Sequence, residues 1–414
     1  MQDRKRVVIT GMGALTPLGN SVEEFWTGLI SGKSGIGPIT LCDSSNYPCH
    51  IAGEVRGFDP NEYINPKEAR RMARFSHLGI AAAHMAMQNA GLDTKDIDDE
   101  RLGVVIGNGI GSLTITQEAC EDMLYKGSMK INPFFIPMIL PNMASANIAR
   151  VFDAKGHNNT INTACAASTQ AIGEAAEAIR RGAADIIISG GSEASVSELG
   201  LSGFCILKAL STRNEEPNRA SRPFDKDRDG FVPSEGAGIL ILESLEHALA
   251  RGANILAEII GYAASSDAFH PVQPDENGAG ASRAMSWTLR NAGVNPNEVD
   301  YINAHGTSTP LNDEIETMAI KKVFGEHAYK IPISSTKSMI GHALGASGAM
   351  EAIACVKTIQ ENIIHPTANL ENQDPKCDLD YVPLLPRQRD VKMVMSNSFG
   401  FGGQNACILL REYA

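Results

Sequence analysis

The sequence predicts an α/β protein made of two similar halves, residues 1–253 and 254–414, sharing one compact body. Three observations carry that reading. The segment QNAGLDTKDID at 88–98 returns as RNAGVNPNEVD at 290–300, an offset of 202 residues. The segment CAASTQAIGEAAEAIRR from Cys165 matches HALGASGAMEAIACVKT from His342, an offset of 177. Strand-like runs such as DIIIS at 185–189 are apolar throughout, the pattern of strands covered by helices on both faces.

The elements follow in chain order. VVIT opens the first strand directly after Met-Gln-Asp-Arg-Lys-Arg, with no apolar leader between them. An Ala- and Met-bearing helix then leads through the first copy of the NAG repeat into the strand LGVVIG at 102–107. HNNTINTA reads as a strand that runs into the helix starting near Cys165. In that helix Ile172, Ala175, Ala176 and Ile179 form an apolar stripe, and DIIIS then ends in SGGSEA. The second half repeats the plan. DYINAH at 300–305 is a strand, a helix begins at Pro310, and a second starts near His342. There Ala349, Ala352, Ile353 and Val356 repeat the stripe, and a last strand ends in SFGFGG. No Pro- or Ser-rich linker divides the halves.

Composition narrows the function. The 414 residues hold 43% hydrophobic and 20% charged residues, ample for a core, with a formal net charge of −12. A general nucleic-acid binder needs a basic face to displace phosphate counterions, so that class loses support. No apolar run approaches the ~18 residues of a membrane span. The eight cysteines never form CxxC and are too sparse for a disulfide scaffold. Together these point to a cytoplasmic protein with reduced thiols.

Three motifs imitate cofactor sites and fail in detail. VVITGMGALT at 7–16 begins like a dinucleotide fingerprint, but Thr16 stands where the third glycine belongs. DKDRDGFVPSEG at 225–236 resembles a calcium loop, yet Gly236 occupies the twelfth position, where a bidentate Glu is needed. GFGGQNA at 400–406 lacks the Lys-Ser/Thr of a phosphate loop, and its glycines suit backbone amides that approach a ligand.

The residues with chemical potential lie elsewhere. Cys165, in NTACAAST, follows a strand and precedes a helix. A cysteine among alanines is ordinarily a small buried hydrophobe. The strand–turn–helix context instead suits a nucleophile beside free N–H groups, with the helix dipole favouring its thiolate. His305 in NAHGTSTP and His342 in TKSMIGHALGASG are two imidazoles in Gly- and Ser/Thr-rich loops, suited to act as bases or as donors to an oxyanion. Lys337 could shape their protonation. Asp313 and Glu316 share a helix face, with ordinary N-terminal helix charge as the alternative.

Taken together, NTACAAS, NAHGTSTP, TKSMIGHALGASG and SNSFGFGGQNA resemble the β-ketoacyl-acyl carrier protein synthases, over essentially the whole chain and including RPFDKDRDGFVPSEGAG. The resemblance implies a thiolase fold, with duplicated βαβαβαββ halves in an αβαβα arrangement, and a homodimer. It implies that Cys165 carries the acyl chain and that its N–H and that of Phe401 form an oxyanion hole. His305 and His342 would stabilise the enolate left by decarboxylation, with Lys337 and Glu316 as a supporting pair. Thr307 and Thr309 would bind the pantetheine arm, and Ile110, Phe135, Phe204 and Phe399 would line the substrate pocket. No organic cofactor or catalytic metal is implied; a structural monovalent cation matches Asn303, Ala304, Glu351, Ser396 and Asn397. The partner would be acyl- or malonyl-loaded acyl carrier protein, with no nucleic acid or membrane involved. For that acidic partner, Lys67, Arg70, Arg71 and Arg74 on a helix after Pro66 form a candidate landing area, joined by Lys208. A solvated helical face is the alternative. A discrete polyketide condensing enzyme is the nearest rival. Asn312 departs from the pattern, in which Gly often stands there.

Overall fold

The computed structural model describes residues 4–414. Among them, ten strands form one mixed sheet: β1 (Val7–Leu15), β2 (Leu102–Gly107), β3 (Asn158–Ile161), β4 (Ile186–Ala194) and β5 (Glu235–Ser244), then β6 (Ala257–Ser266), β7 (Tyr301–Asn303), β8 (Ile333–Ser334), β9 (Met393–Gly400) and β10 (Gln404–Arg411). Their spatial order is β8-β7-β9-β10-β6-β1-β5-β4-β2-β3. Outward from the centre, each set of five runs first, fifth, fourth, second, third. The sets join only where Val8 pairs with Glu258 and Ile9 with Ala257.

Burial explains the uninterrupted apolar strands. All nine residues of β1 and all nine of β4 are buried, because helices cover both faces. Helix α1 (Arg74–Asn89) packs on β1, β4 and β5. Helices α2 (Ala167–Arg180), α3 (Glu198–Ile206), α4 (Ala279–Ala292), α5 (Pro310–Phe324) and α6 (Ser347–Glu361) follow. α4 covers β6 and β10, with α5 beside it. α2 and α6 pack on each other and on strands of both sets, forming the middle layer of an α-β-α-β-α stack. The fold is that of the thiolases, as expected.

Small residues let α2 and α6 meet. A Cβ on Gly348 would stand 1.9 Å from Thr169 Oγ1, so only glycine fits. One residue along, the Ala349 N–H donates to Ser168 Oγ at 2.9 Å. Thr169 with Gly348 and Ser168 with Ala349 exchange under a two-fold axis only at an offset of 180. The helix starts at Ala167 and Ser347 share that offset, as do the left-handed residues Ala164 and Leu344. The structural mate of Cys165 is therefore Gly345, not His342 as the sequence repeat suggested. Three residues turn a helix to within about 60° of a full revolution, so a stripe matches almost as well at 177 as at 180.

One other expectation changes. The chain after Pro66 forms not one helix but two, Pro66–Ala69 and Arg74–Asn89, with Arg70 capping the first. The false dinucleotide motif is uninterrupted strand, its Gly11 and Gly13 lying against the backbone of α1.

Candidate active site

Cys165 sits in the single turn Ala164–Ala166 between β3 and α2. β7 carries the chain to His305, and the stretch after Lys337–Ile340 carries it to His342. The Cys165 sulfur and one nitrogen of each histidine all lie within 4.8 Å of one another, and all three residues are buried. The imidazole centroids are 5.4 Å apart and nearly perpendicular. Phe231 closes the far side, edge-on to His342 at 5.3 Å.

Each group is held by identifiable neighbours. Lys337, fully buried, sends its ammonium to His305 Nδ1 at 3.4 Å and pairs with Glu351. An ammonium has no lone pair, so Nδ1 must accept, and the His305 proton resides on Nε2. Ser347 Oγ lies 3.0 Å from His342 Nδ1, and a hydroxyl donating there leaves His342 Nε2–H free as well. Burial, then Lys337, then His342 hold His305 well below the usual imidazole range. Burial and Lys337 do the same to His342. Both rings are neutral donors at neutral pH.

Glu316 is not paired with Lys337: its carboxylate accepts the His305 N–H at 2.9 Å and the Gly306 N–H at 2.8 Å. Burial pushes it up to about 7. Glu316 thus holds the loop of His305, while Glu351 holds Lys337.

The cysteine is also not the ready thiolate that the helix dipole suggested. Burial pushes the Cys165 thiol up to about 11, outweighing Lys337 and the N–H groups of Phe401 and of Cys165 itself. Those two N–H groups lie close enough to the sulfur to lower its pKa; as an oxyanion hole they would serve the carbonyl oxygen of a thioester bound beside it. Phe401 follows β9 within a glycine-rich turn, where Gly402 and Gly403 take φ of 80° and 68°. That turn is tied to its neighbour: the Gly402 N–H donates to Pro271 O and the Asp267 N–H to Gly403 O, both at 2.8 Å.

A cavity of about 340 Å³ opens onto the sulfur and both imidazoles. Thr307, Thr309, Phe399, Phe401, Lys208 and Asn312 line it. Thr307 and Thr309 hydroxyls meet at 2.9 Å. Ile110, Phe135 and Phe204 do not line it. Phe204 instead packs edge-on against Phe231 at 5.4 Å, while Phe135 begins a short helix, Phe135–Ile139. Beside it Phe134, Ile136 and Leu140 are exposed.

The calcium-like motif became scaffold. Asp225, fully buried, accepts N–H bonds from Asp227, Glu371 and Asn372. Arg228 donates to Thr309 O at 3.1 Å and Pro310 O at 2.9 Å, fixing the start of α5 beside the cavity. Sequence reasoning missed Arg228, Phe231 and the Lys337–Glu351 pairing.

The candidate landing area loses one member. Lys67, Arg70 and Arg71 are exposed, whereas Arg74 forms a two-pronged ion pair with buried Glu235, at 2.7 Å for each contact. Breaking that pair would leave Glu235 buried and unpaired, which is costly, so Arg74 is held by the fold.

The candidate cation ligands show a telling pattern. Asn303 Oδ1, Glu351 Oε2, Ser396 Oγ and Asn397 Oδ1 are buried without a hydrogen-bond partner. Buried oxygens are rarely left so, and hard oxygen donors suit a small cation. The Cys165–His305–His342 set has the composition of a zinc triad, but the Lys337 ammonium beside His305 opposes a dication there.

Comparison with known proteins agrees with this geometry. Residues 4–248 match the model of the beta-ketoacyl synthase N-terminal domain, and residues 256–371 that of the C-terminal domain. The chain belongs to the beta-ketoacyl synthase family. It is 51% identical over 411 residues to 3-oxoacyl-[acyl-carrier-protein] synthase 2 of Synechocystis sp., covering 99% of each chain. It is 47% identical to the enzyme of the same name from Staphylococcus aureus strain N315, covering 100% of both. Among solved structures it resembles the ishigamide ketosynthase/chain length factor, with TM-score 0.94 and 38% identity, covering 99% of this chain and 100% of that one. It also resembles a type II polyketide ketosynthase solved with its acyl carrier protein, with TM-score 0.90, 37% identity and the same coverage.

Proposed function

We infer that this protein is an elongating condensing enzyme of fatty acid synthesis, joining acyl- and malonyl-carrier protein into a 3-oxoacyl-carrier protein two carbons longer. The observation that carries this reading is one thiol flanked by two backbone N–H groups and two neutral imidazole donors in a single cavity.

The chemistry follows in three steps. Cys165 Sγ attacks the acyl thioester, the N–H groups of Cys165 and Phe401 take up the oxyanion charge, and the proton of Cys165 ends on the departing pantetheine sulfur. Malonyl-carrier protein then enters, its C–CO₂ bond breaks, and the electron pair moves into the thioester carbonyl. The resulting enolate oxygen receives hydrogen bonds from Nε2–H of His305 and His342. Finally the enolate carbon attacks the acyl-Cys165 carbonyl, the new C–C bond forms, and the C–S bond breaks, releasing Cys165 as a thiolate that takes a proton from water to restore the thiol. Lys337 and Glu316 act on this sequence by holding His305.

Thr307 and Thr309 would hydrogen-bond the pantetheine arm, and Phe399 and Phe401 line the same cavity as the sulfur. Ile110, Phe135 and Phe204 would line the acyl pocket. We place the boundary between the two halves at 253/254, and the chain as a homodimer. The exposed apolar residues Tyr125, Met129 and Ile136 support that assembly. Lys67, Arg70, Arg71 and Lys208 would receive acyl carrier protein. A monovalent cation among Asn303, Ala304, Glu351, Ser396 and Asn397 would neutralise the orphaned oxygens, a structural service. Among the described residues no helix is long and apolar enough to cross a membrane. All eight cysteines are unpaired, which supports a cytoplasmic location. The polyketide reading uses the same chemistry, and the identities of 51% and 47% to proteins named 3-oxoacyl-[acyl-carrier-protein] synthase 2 do not favour it.

Mass spectrometry after mixing with acyl-carrier protein tests the reading. An acyl adduct on Cys165, absent from Cys165→Ala, is expected. No adduct from any acyl donor would overturn it. Extension of C6 to C16 primers would separate fatty acid from polyketide use.

A further inference from the structure

Glu193, the penultimate residue of β4, has no solvent exposure and no cation beside its carboxylate. Its Oε2 accepts the Gly109 N–H at 2.7 Å and the Gly345 N–H at 3.1 Å. Its other contacts are the Ile110 N–H and, at 3.4 Å from Oε1, Asn108 Nδ2. Asn108 cannot turn round. Its Nδ2 donates to Ser192 O and its Oδ1 accepts from the Gly111 N–H, both at 2.7 Å. Every partner of Glu193 is therefore a donor, and only an ionised carboxylate satisfies them all.

The two segments joined are those that build the site. Gly345 lies in the turn Leu344–Ala346, three residues after His342, and Leu344 lines the cavity. Gly109 follows β2 and lies against the residue before Cys165: a Cβ there would stand 3.6 Å from Ala164 O. A Cβ on Gly345 would stand 2.3 Å from Gly109 N and 2.8 Å from Glu193 Oε2. The two backbones touch, with one carboxylate oxygen bridging them. Glu316 does the same for His305, taking two consecutive N–H groups.

We propose that Glu193 is a positioning residue for the condensation: its Oε2 staples the Gly109 loop to the Gly345 turn and thereby sets His342 against Cys165. It deepens the reading given under Proposed function and rests on it. Its negative charge disfavours the thiolate of Cys165, so its presence there answers a geometric need rather than an electrostatic one.

Glu193→Gln is nearly isosteric but always turns an NH₂ group toward N–H donors. Glu193→Asp keeps the anion and shortens the reach. The rates of malonyl-carrier protein decarboxylation and of Cys165 acylation, KM for each substrate and thermal melting would be measured on wild type and both variants. For folded Glu193→Gln, kcat is expected to fall about 10- to 100-fold, the loss typical of a misplaced catalytic group. KM should stay within about twofold, and Glu193→Asp should recover part of the rate. Wild-type kcat in folded Glu193→Gln would overturn the proposal. So would a loss that appears in KM, or failure of both variants to fold, which would make Glu193 a plain core residue. Wild-type protein inactive on both substrates would instead overturn the condensing function itself.

Discussion

The ammonium of Lys337 lies 3.4 Å from Nδ1 of His305, in a site where neither group meets solvent, and its counter-ion is Glu351. This contact fixes the tautomer that presents Nε2–H to the cavity. Replacing Lys337 by Ala removes the constraint, and decarboxylation is expected to fall by about 10² or more, the usual cost of losing one oxyanion donor. Acylation of Cys165 should be less affected. Quantifying CO₂ release and acyl-enzyme separately checks the split.

The same pair makes a stability prediction. Lys337→Ala leaves Glu351 as a buried, unpaired acid, a change that typically costs about 3–5 kcal/mol. The double variant Lys337→Met with Glu351→Gln should regain much of that loss in denaturant unfolding while remaining slow. Recovery of rate along with stability would show that Lys337 acts only as a core residue.

The pH dependence of the rate belongs to carboxyl groups rather than to histidine. Burial pushes Glu193 and Glu316 each up to about 7, while His305 and His342 lie well below 6.5 and stay neutral between pH 8 and 6. The titratable neighbours include Cys165 near Glu193, and Asp313, Tyr381 and Cys407 near Glu316. Protonation places a hydrogen among N–H donors, so kcat should fall as pH drops through about 7. Stability carries the opposite sign. Both acids hold protons more tightly when folded than at the ordinary value of 4.5, so the stability they contribute is complete below about 4.5 and lost as pH rises through about 7. Rate should therefore fall from pH 8 to 6 without a matching loss from these groups in the melting temperature.

Charge reversal separates the basic residues. Arg70→Glu with Arg71→Glu should raise KM for acyl-carrier protein several-fold and leave a pantetheine thioester unaffected. Arg74→Glu should instead destabilise the fold, since it sets an acid against Glu235. Steady-state kinetics on both substrates, with melting curves, distinguishes the two outcomes.

Exchange into a buffer whose only cation is choline should lower the melting temperature if the oxygens of Asn303, Glu351, Ser396 and Asn397 hold a small cation. Return of sodium or potassium should restore it. Insensitivity to the cation would remove that site.

Much of the fold was legible because it rests on local patterns. Continuous apolar runs mark strands covered on both faces, and β4 is buried along its whole length. The repeated helical stripes announced α2 and α6. Their register was not legible, since a shift of three residues keeps almost the same helix face inward; the paired contacts Thr169–Gly348 and Ser168–Ala349 decide it. Cys165, His305 and His342 were legible from residue type and flanking motif. Their meeting within 4.8 Å depends on how the two halves pack, since Cys165 lies more than a hundred residues before either histidine.

By itself the sequence determined the chemistry available: one cysteine at a strand–helix turn, two histidines in small-residue loops, and glycines where backbone must approach. The tertiary structure decided the partnerships. It gave Lys337 to Glu351, Glu316 to the His305 loop, Arg74 to Glu235 and Glu193 to Gly345. A buried charge takes whichever counter-group lies within hydrogen-bond reach. That reach is set by how the layers stack, and no spacing along the chain records it.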